Sequence, residues 1–438
     1  MRIAFVLPEF PTEKECGGLG VYHDNIARLL ANAGHSVTVF VKSEQTERVP
    51  YDLGITVERV FVDLSKVNPD IPGSFMREWS RILNQTVREY KGGNSGFDLI
   101  QYSNIQAPGF DRLDIPTVVR ISSDLSLLRA ADQEVFNPNI NYFPFKISDF
   151  LEEIALIRAD AVYCPSYLLA NIISKRTGCD IRMIESPFYP REVLPGQSHI
   201  FQEELLGKSY ILTFGTLKIL KGAKLIGDSI HRVLADCPNL YWVFAGAEFP
   251  WKDASGSLVQ PSEYIRNRAG EFSNRVVFLG KLPYQELHSV IENASFCVMP
   301  SRIDNLPNTC IEAMALGKVV IGTTGASFEQ LIKNGKNGFL IERENSEVLI
   351  SKIKEVAMLP VEVKLRIEAA ARARIEKMQP NRILEELLEF YKAAIQSFPR
   401  ARTEKTEKYY RQVILKHNQL ILDTQIDEAV KYLIKISD

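Results

Sequence analysis

Two carboxylates separated by seven residues, Asp304 and Glu312, stand in the stretch PSRIDNLPNTCIEAMALGKVV. The apolar run Ala294 to Met299 before them has strand character. Ser301, Asp304, Asn305, Pro307 and Asn308 mark a turn, and a helical pattern runs from Cys310 to Leu316. Strand, loop and helix in that order belong to a parallel sheet, where ligands bind beyond the carboxyl ends of the strands. Glu312 falls in the first turn or so of the helix, where free N–H groups favour anionic groups, whether carboxylate or phosphate. A carboxylate also accepts two hydroxyl hydrogen bonds at once, which suits a ribose diol or a hexose edge. The plainer reading has Asp304 closing an Asx turn and Glu312 answering the helix dipole. The local pattern accommodates both.

Two further stretches carry residues able to hold a phosphate. After the strand-like Arg2 to Leu7 comes CGGLGVYHDNIARLL, in which Val21, Ile26, Leu29 and Leu30 keep helical spacing. Gly34 ends that helix, and Ser36 to Val41 form the next strand. Gly17, Gly18 and Gly20 thus stand at a helix entrance, where backbone N–H groups can cradle a diphosphate or simply pack close to a strand. The spacing is not the GxGxxG of a dinucleotide fold. In the second half, the strand Tyr210 to Phe214 runs into GTLKILKG, which offers Thr216, Lys218 and Lys221.

The elements that must position these groups alternate throughout. Strands are expected at Phe97 to Tyr102, Pro116 to Ile121 and Ala159 to Pro165, with a helix from Ser166 to Lys175. Pro190 to Lys208 is polar, contains Pro and Gly, and reads as a linker. Further strands are expected at Leu240 to Ala245, Arg275 to Leu279 and Lys318 to Gly322, and helices at Tyr284 to Glu292, Ser346 to Met378 with a break at Pro360, and Ile383 to Ile395. The expected architecture is α/β: two Rossmann-like, doubly wound parallel-sheet domains facing a central cleft, with a C-terminal helical extension. Residues 1–195 form the first domain and 209–380 the second; 381–396 form a helix crossing back. Residues 397–438 form the extension, whose apolar Tyr410, Val413, Ile414, Ile421 and Leu433 are expected to pack on the body of the protein.

Length and composition bound the function. A chain of 438 residues is long for one core. Its 45% hydrophobic and 24% charged residues are those of a globular protein, and the net charge of −2 argues against a broad nucleic-acid footprint. The six cysteines show no CxxC pair or metal-ligand spacing, so reduced thiols in a cytoplasmic protein are expected, without a metal site. No apolar run is long enough to span a bilayer. MRIAFVLPEFP is broken too early by Pro8 and Glu9 for a secretory signal and reads as a buried strand.

The run DNLPNTCIEAMALGKVV, followed by GASFEQLIKNGKNGFL, closely resembles the donor-site signature of the retaining nucleotide-sugar glycosyltransferases of family four, which have the GT-B architecture. The resemblance implies that Glu312 holds the donor ribose. Asp304, with Asn305, Leu306 and Pro307, would hold the sugar and diphosphate. Gly17 and Gly18 would face the diphosphate from the other domain, Leu282 would lie near the base, and Lys221 would clamp the leaving diphosphate. Lys221 and Asp304 are the implied catalytic pair. Two departures stand out. The family's usual Arg is Thr216 here, with Lys218 as a candidate substitute, and a His common beside the reacting sugar is Ser122, followed by Ser123 and Asp124. Ser122 and Asp124 are the acceptor-side candidates, although a helix cap or turn explains them as well.

The implied activity is transfer of a sugar from a nucleotide-diphosphate sugar to a hydroxyl of a glycan or lipid-linked acceptor, with retention of configuration. No cofactor is implied, and peripheral membrane association remains open. Nucleotide-sugar hydrolysis or epimerisation would share the same donor residues. A catalytically inactive nucleotide-sugar-binding protein would account for the two departures.

Overall fold

The computed structural model describes residues 1–68, 73–90, 96–131, 143–189, 199–253 and 255–398. The expected linker falls partly, and the expected extension beyond Phe398 wholly, outside the described residues.

The first half forms a sheet in the order β3-β4-β2-β1-β5-β6-β7-β8. Its strands are β1 (Arg2–Leu7), β2 (Ser36–Ser43), β3 (Glu47–Pro50), β4 (Thr56–Phe61), β5 (Leu99–Ser103), β6 (Thr117–Arg120), β7 (Ala161–Cys164) and β8 (Ile181–Met183). All neighbours are parallel except β3 on β4. After Arg2, β1 is an unbroken apolar run, and β5 is broken only by the polar Gln101 and Ser103, because helices cover both faces and each strand is buried almost throughout. The sheet is wound outward from β1 through β2 to β4, then restarts at β5 on the other side of β1. The topological switch therefore lies between β1 and β5, and a crevice opens beyond their carboxyl ends.

The second half repeats this plan. Its sheet runs β13-β10-β9-β14-β15-β16. The strands are β9 (Ser209–Phe214), β10 (Leu240–Ala245), β13 (Val276–Phe278), β14 (Phe296–Met299), β15 (Val320–Thr323) and β16 (Phe339–Ile341). A small antiparallel ribbon, β11 (Trp251–Lys252) with β12 (Leu258–Val259), is inserted between β10 and β13. Here the switch lies between β9 and β14, which pair in parallel with Phe296 opposite Ile211. The loops after these two strands carry Thr216 and Lys221 on one side and Asp304 on the other.

The helix Pro380–Ser397 returns to the first half. Pro380 occupies its first turn, where a missing N–H costs nothing. Its buried face, Ile383, Leu384, Leu387, Tyr391 and Ala394, joins the core built on Ile3, Phe5 and Ile26. Tyr391 donates its hydroxyl to Gln101 on β5. Each fully buried large apolar side chain of this kind contributes about 1.5–3 kcal/mol, so this helix ties the two halves together. Expected and observed elements differ mainly at their ends, as where the strand expected from Phe97 begins at Leu99, while the helical stretch divides at Pro360 as expected, into Ser346–Ala357 and Val361–Ile375. The helix Ser74–Glu89 and the β3–β4 region were not anticipated.

Candidate active site

Lys221 and Asp304 are brought together by one glycine. Lys221 ends a short 3-10 turn, Ile219–Lys221, and Gly222 follows with φ +85°. A Cβ on Gly222 would lie 2.3 Å from the carbonyl oxygen of Pro300, so only glycine lets this turn pass against the end of β14. Arg302 N–H donates to the Leu220 carbonyl at 2.9 Å, locking turn and loop together. In that arrangement the Lys221 ammonium pairs with Asp304 Oδ2, while Asp304 Oδ1 accepts from its neighbour's amide, Asn305 N, at 3.0 Å. The loop is also anchored from below: Ser327 Oγ donates to the Asp304 carbonyl at 2.9 Å, and Arg302 makes a two-pronged ion pair with Glu344.

A cavity opens beside this pair, across the carboxyl ends of β9, β10 and β13. Thr216, Lys221, Gly246, Gly280, Ser301 and Thr309 line it. Gly246 is held by close packing: a Cβ there would stand 1.7 Å from the Gly215 carbonyl oxygen, and its N–H donates to the Gly280 carbonyl at 2.7 Å. Lys221 is the cation of this lining and Glu248 its carboxylate, with Glu248 Oε2 accepting from Ser262 N at 3.0 Å. Lys218 does not line the cavity, so the position held by Thr216 has a hydroxyl and no nearby replacement from that residue. Thr309 and Glu312 lie three apart on the helix Asn308–Ala315 and therefore share a face.

Two family models match. "Glycosyl transferases group 1" matches residues 197–374 and "Glycosyltransferase Family 4" residues 16–187. Together the two matches show a glycosyltransferase of the family-4 type. Among curated relatives, the D-inositol 3-phosphate glycosyltransferase of Acidothermus cellulolyticus is 21% identical over 76% of each chain. YtcC of Bacillus subtilis, named provisionally as a glycosyltransferase, is 25% identical over 39% of this chain. The chain spans 42% of YtcC, less than half of that relative's length. The fold is that of the sucrose-phosphate synthase of Thermosynechococcus elongatus, with a TM-score of 0.68, 17% identity and coverage of 90% of this chain and 99% of that one. It is also that of Anabaena HepE in complex with UDP and glucose, with a TM-score of 0.63, 17% identity and coverage of 90% and 100%.

In this family-4 chain the remaining candidates are distributed unevenly. Asn305 turns its side chain away from the cavity and clasps the first domain, its Nδ2 donating to the Ser122 carbonyl at 2.5 Å and its Oδ1 accepting from Ser166 Oγ at 2.7 Å. The loop thus faces the interdomain cleft. Leu306 is buried in the second domain's core and Pro307 precedes the helix, so only their backbones are available to a ligand. Leu282 packs against that same core and does not line the cavity, whereas Gly280 does.

The glycine-rich helix start holds a residue that the motif reading did not include. Glu9, just past the end of β1, accepts from Gly17 N at 3.0 Å and Gly20 N at 2.8 Å through Oε1. The amides expected to face a diphosphate are therefore answered by an internal carboxylate, while the surroundings of Gly18 stay open. Asp124 acts as the cap of the helix Leu125–Ala131: it accepts from Ser126 Oγ and Leu127 N and pairs with Arg176. Burial pushes its carboxyl up, but Arg176 and these donors together hold it below the usual carboxylate range. Leu127, Leu128 and Ala131 from that helix reach the core of the second domain, so the two halves touch across the cleft.

A second interdomain seam was also missed. Gln330 Nε2 donates to the Pro165 carbonyl at 2.9 Å and to Glu185 Oε1 at 2.7 Å, and Arg374 pairs with the same Glu185. Such pairs, far apart in sequence, leave no local signal.

Proposed function

We propose that this protein moves a sugar from a nucleotide-diphosphate donor to a hydroxyl of a glycan or lipid-linked acceptor, with retention of configuration. The observation that carries this reading is the Lys221–Asp304 pair beside a cavity at the topological switch of the second sheet, on a loop clasped to the first domain. We infer that Lys221, Thr216 and Ser301, which line the cavity, would meet the diphosphate, and that Glu312, one helical turn beyond the cavity-lining Thr309, would meet the ribose. The structural neighbour HepE, crystallised with UDP and with UDP-glucose, makes a uridine donor the first to try.

In the reaction we infer, the acceptor oxygen bonds to the anomeric carbon on the face from which the phosphate departs. The bond to the phosphate oxygen breaks with its electron pair, and the acceptor's proton passes to the leaving phosphate. The protein supplies positioning and charge, with no covalent nucleophile. The lysine and neighbouring N–H groups take the electrostatic role, and we propose that no metal ion or organic cofactor is required.

No helix among the described residues is long and apolar enough to cross a membrane. All six cysteines are unpaired, in keeping with the reducing cytoplasm we propose. Peripheral contact with a bilayer would present a lipid-linked acceptor to the cleft.

The test is a panel of nucleotide sugars assayed for nucleoside diphosphate release, with and without extracted polysaccharide and lipid acceptors, in the presence and absence of EDTA. Acceptor-dependent release that withstands EDTA supports the reading. Release without any acceptor identifies a hydrolase, conversion of the donor into a second nucleotide sugar without net release identifies an epimerase, and tight nucleotide binding without turnover identifies a binding protein.

A further inference from the structure

Arg120 ends β6 and is only 5% exposed, yet among the described residues no carboxylate pairs with it. Its guanidinium lies over the Tyr22 ring, 3.3 Å from the centroid. Nη1 donates to Ser122 Oγ at 2.7 Å and Nη2 to Ser186 Oγ at 3.3 Å. Four ionisable groups around it, His23, Tyr163, Cys164 and Tyr391, are held neutral. Burial, then Arg120 itself, lowers His23 to about 3, and burial raises Cys164 to about 11 and the hydroxyls of Tyr163 and Tyr391 well above the ordinary tyrosine value. A buried cation in neutral surroundings is costly unless something anionic completes it.

The two serines show where that partner would sit. Each accepts a charge-assisted hydrogen bond from Arg120, and each keeps its own O–H hydrogen free to donate. Both are half-buried, so the hydroxyls are reachable where the guanidinium is not. Ser122 also adjoins the donor loop, since its carbonyl accepts from Asn305, whose amide donates to Asp304. On the other side of the cleft, Lys221 is already matched by Asp304, and Thr216 adds no charge. A phosphate-bearing ligand there lacks a second positive source.

We propose that Ser122 and Ser186, backed by Arg120, form an anion subsite on the first domain's wall of the cleft, taking a phosphate group of one of the two substrates. The inference rests on the reading of this cleft as a transferase site and names one substrate's chemistry there. The phosphate belongs either to the donor's diphosphate or to the acceptor.

Calorimetric titration of the full chain with UDP, uridine and inorganic phosphate, in wild type, the Ser122→Ala/Ser186→Ala double variant and Arg120→Met, tests it. If the donor's diphosphate is bound, UDP affinity falls about tenfold in the double variant, as expected for losing a charge-assisted bond, while uridine is unchanged. If an acceptor phosphate is bound, UDP is unchanged, but inorganic phosphate binds UDP-saturated wild type and loses about tenfold in the variant. Changes below about threefold in both measurements, with unaltered melting, overturn the subsite. Arg120→Met repeats the comparison, and if it does not fold, the serine pair decides alone. Failure of uridine and UDP to bind any form would instead sink the donor reading, and inorganic phosphate alone would still judge the subsite.

Discussion

Replacing Lys221 with methionine keeps the length of the side chain and removes its charge. In the unliganded site the ammonium is paired with Asp304, with 34% of the Lys221 side chain and 15% of that of Asp304 exposed, so the pair is only partly screened by water. As the bond to the phosphate breaks, negative charge grows on the leaving oxygens, and a fixed cation there gains strength in the transition state. Loss of one such donor costs about 2.7–4 kcal/mol, or about 10²–10³ in kcat. The methionine also strips Asp304 of its partner and leaves a bare carboxylate facing the diphosphate, which adds to the penalty. KM and the UDP dissociation constant should therefore move by about tenfold or less, while kcat carries the rest. Steady-state release of nucleoside diphosphate under saturating donor measures kcat, and calorimetry measures UDP. The double variant Lys221→Met/Asp304→Asn should recover about tenfold of kcat over the single one, because the stranded carboxylate is gone. A kcat for Lys221→Met within about threefold of wild type would refute the charge role, since no transition-state bond of this class is worth so little.

Four other outcomes follow from the same geometry. Glu312→Ala should weaken UDP binding by about tenfold through loss of a charged acceptor for the ribose, and the same loss for UDP and uridine would show that the contact is to the ribose. Thr216→Arg should strengthen UDP binding, by about tenfold if the guanidinium reaches the diphosphate, as read by calorimetry. Gly222→Ala should cost about 3 kcal/mol or more, because a side chain would meet the Pro300 backbone and take φ +85°; a lowered melting temperature, or insoluble protein, checks it. Glu152, which accepts from Gln106 N at 3.0 Å, is pushed up to about 8, chiefly by burial. Its folded value lies above the ordinary 4.5, so it keeps a proton that the unfolded chain releases, and stability drains away as pH rises from about 4.5 to about 8. Glu152→Gln should flatten that slope in melting temperature against pH; an unchanged slope would show that another group is responsible.

How much of this molecule was readable along the chain depends on distance. Ala294 to Met299, the DNLPN turn and the helix after it were legible because strand, turn and helix each obey a local rule of period or backbone conformation. Lys221-Gly222 was marked by the family resemblance, since one lysine before a glycine obeys no local rule that distinguishes it from an exposed loop. The loop's orientation was not. Asn305 bonds to the carbonyl of Ser122 and to Ser166, residues from the other domain, so its side chain faces a partner that only the packing of two sheets supplies. Leu282 was expected near the base, and packing sets its half-buried side chain against the core instead of the cavity.

The sequence by itself determined two parallel α/β halves and a carboxylate loop, because hydrophobic period and turn chemistry act over a few residues. Tertiary structure alone decided that Lys221 meets Asp304, that Glu9 answers the glycine amides and that Arg120 is buried with no carboxylate paired to it among the described residues. A charge is paired or stranded according to what the folded sheets bring within a few ångströms of it, and strand order, not chain order, sets that distance.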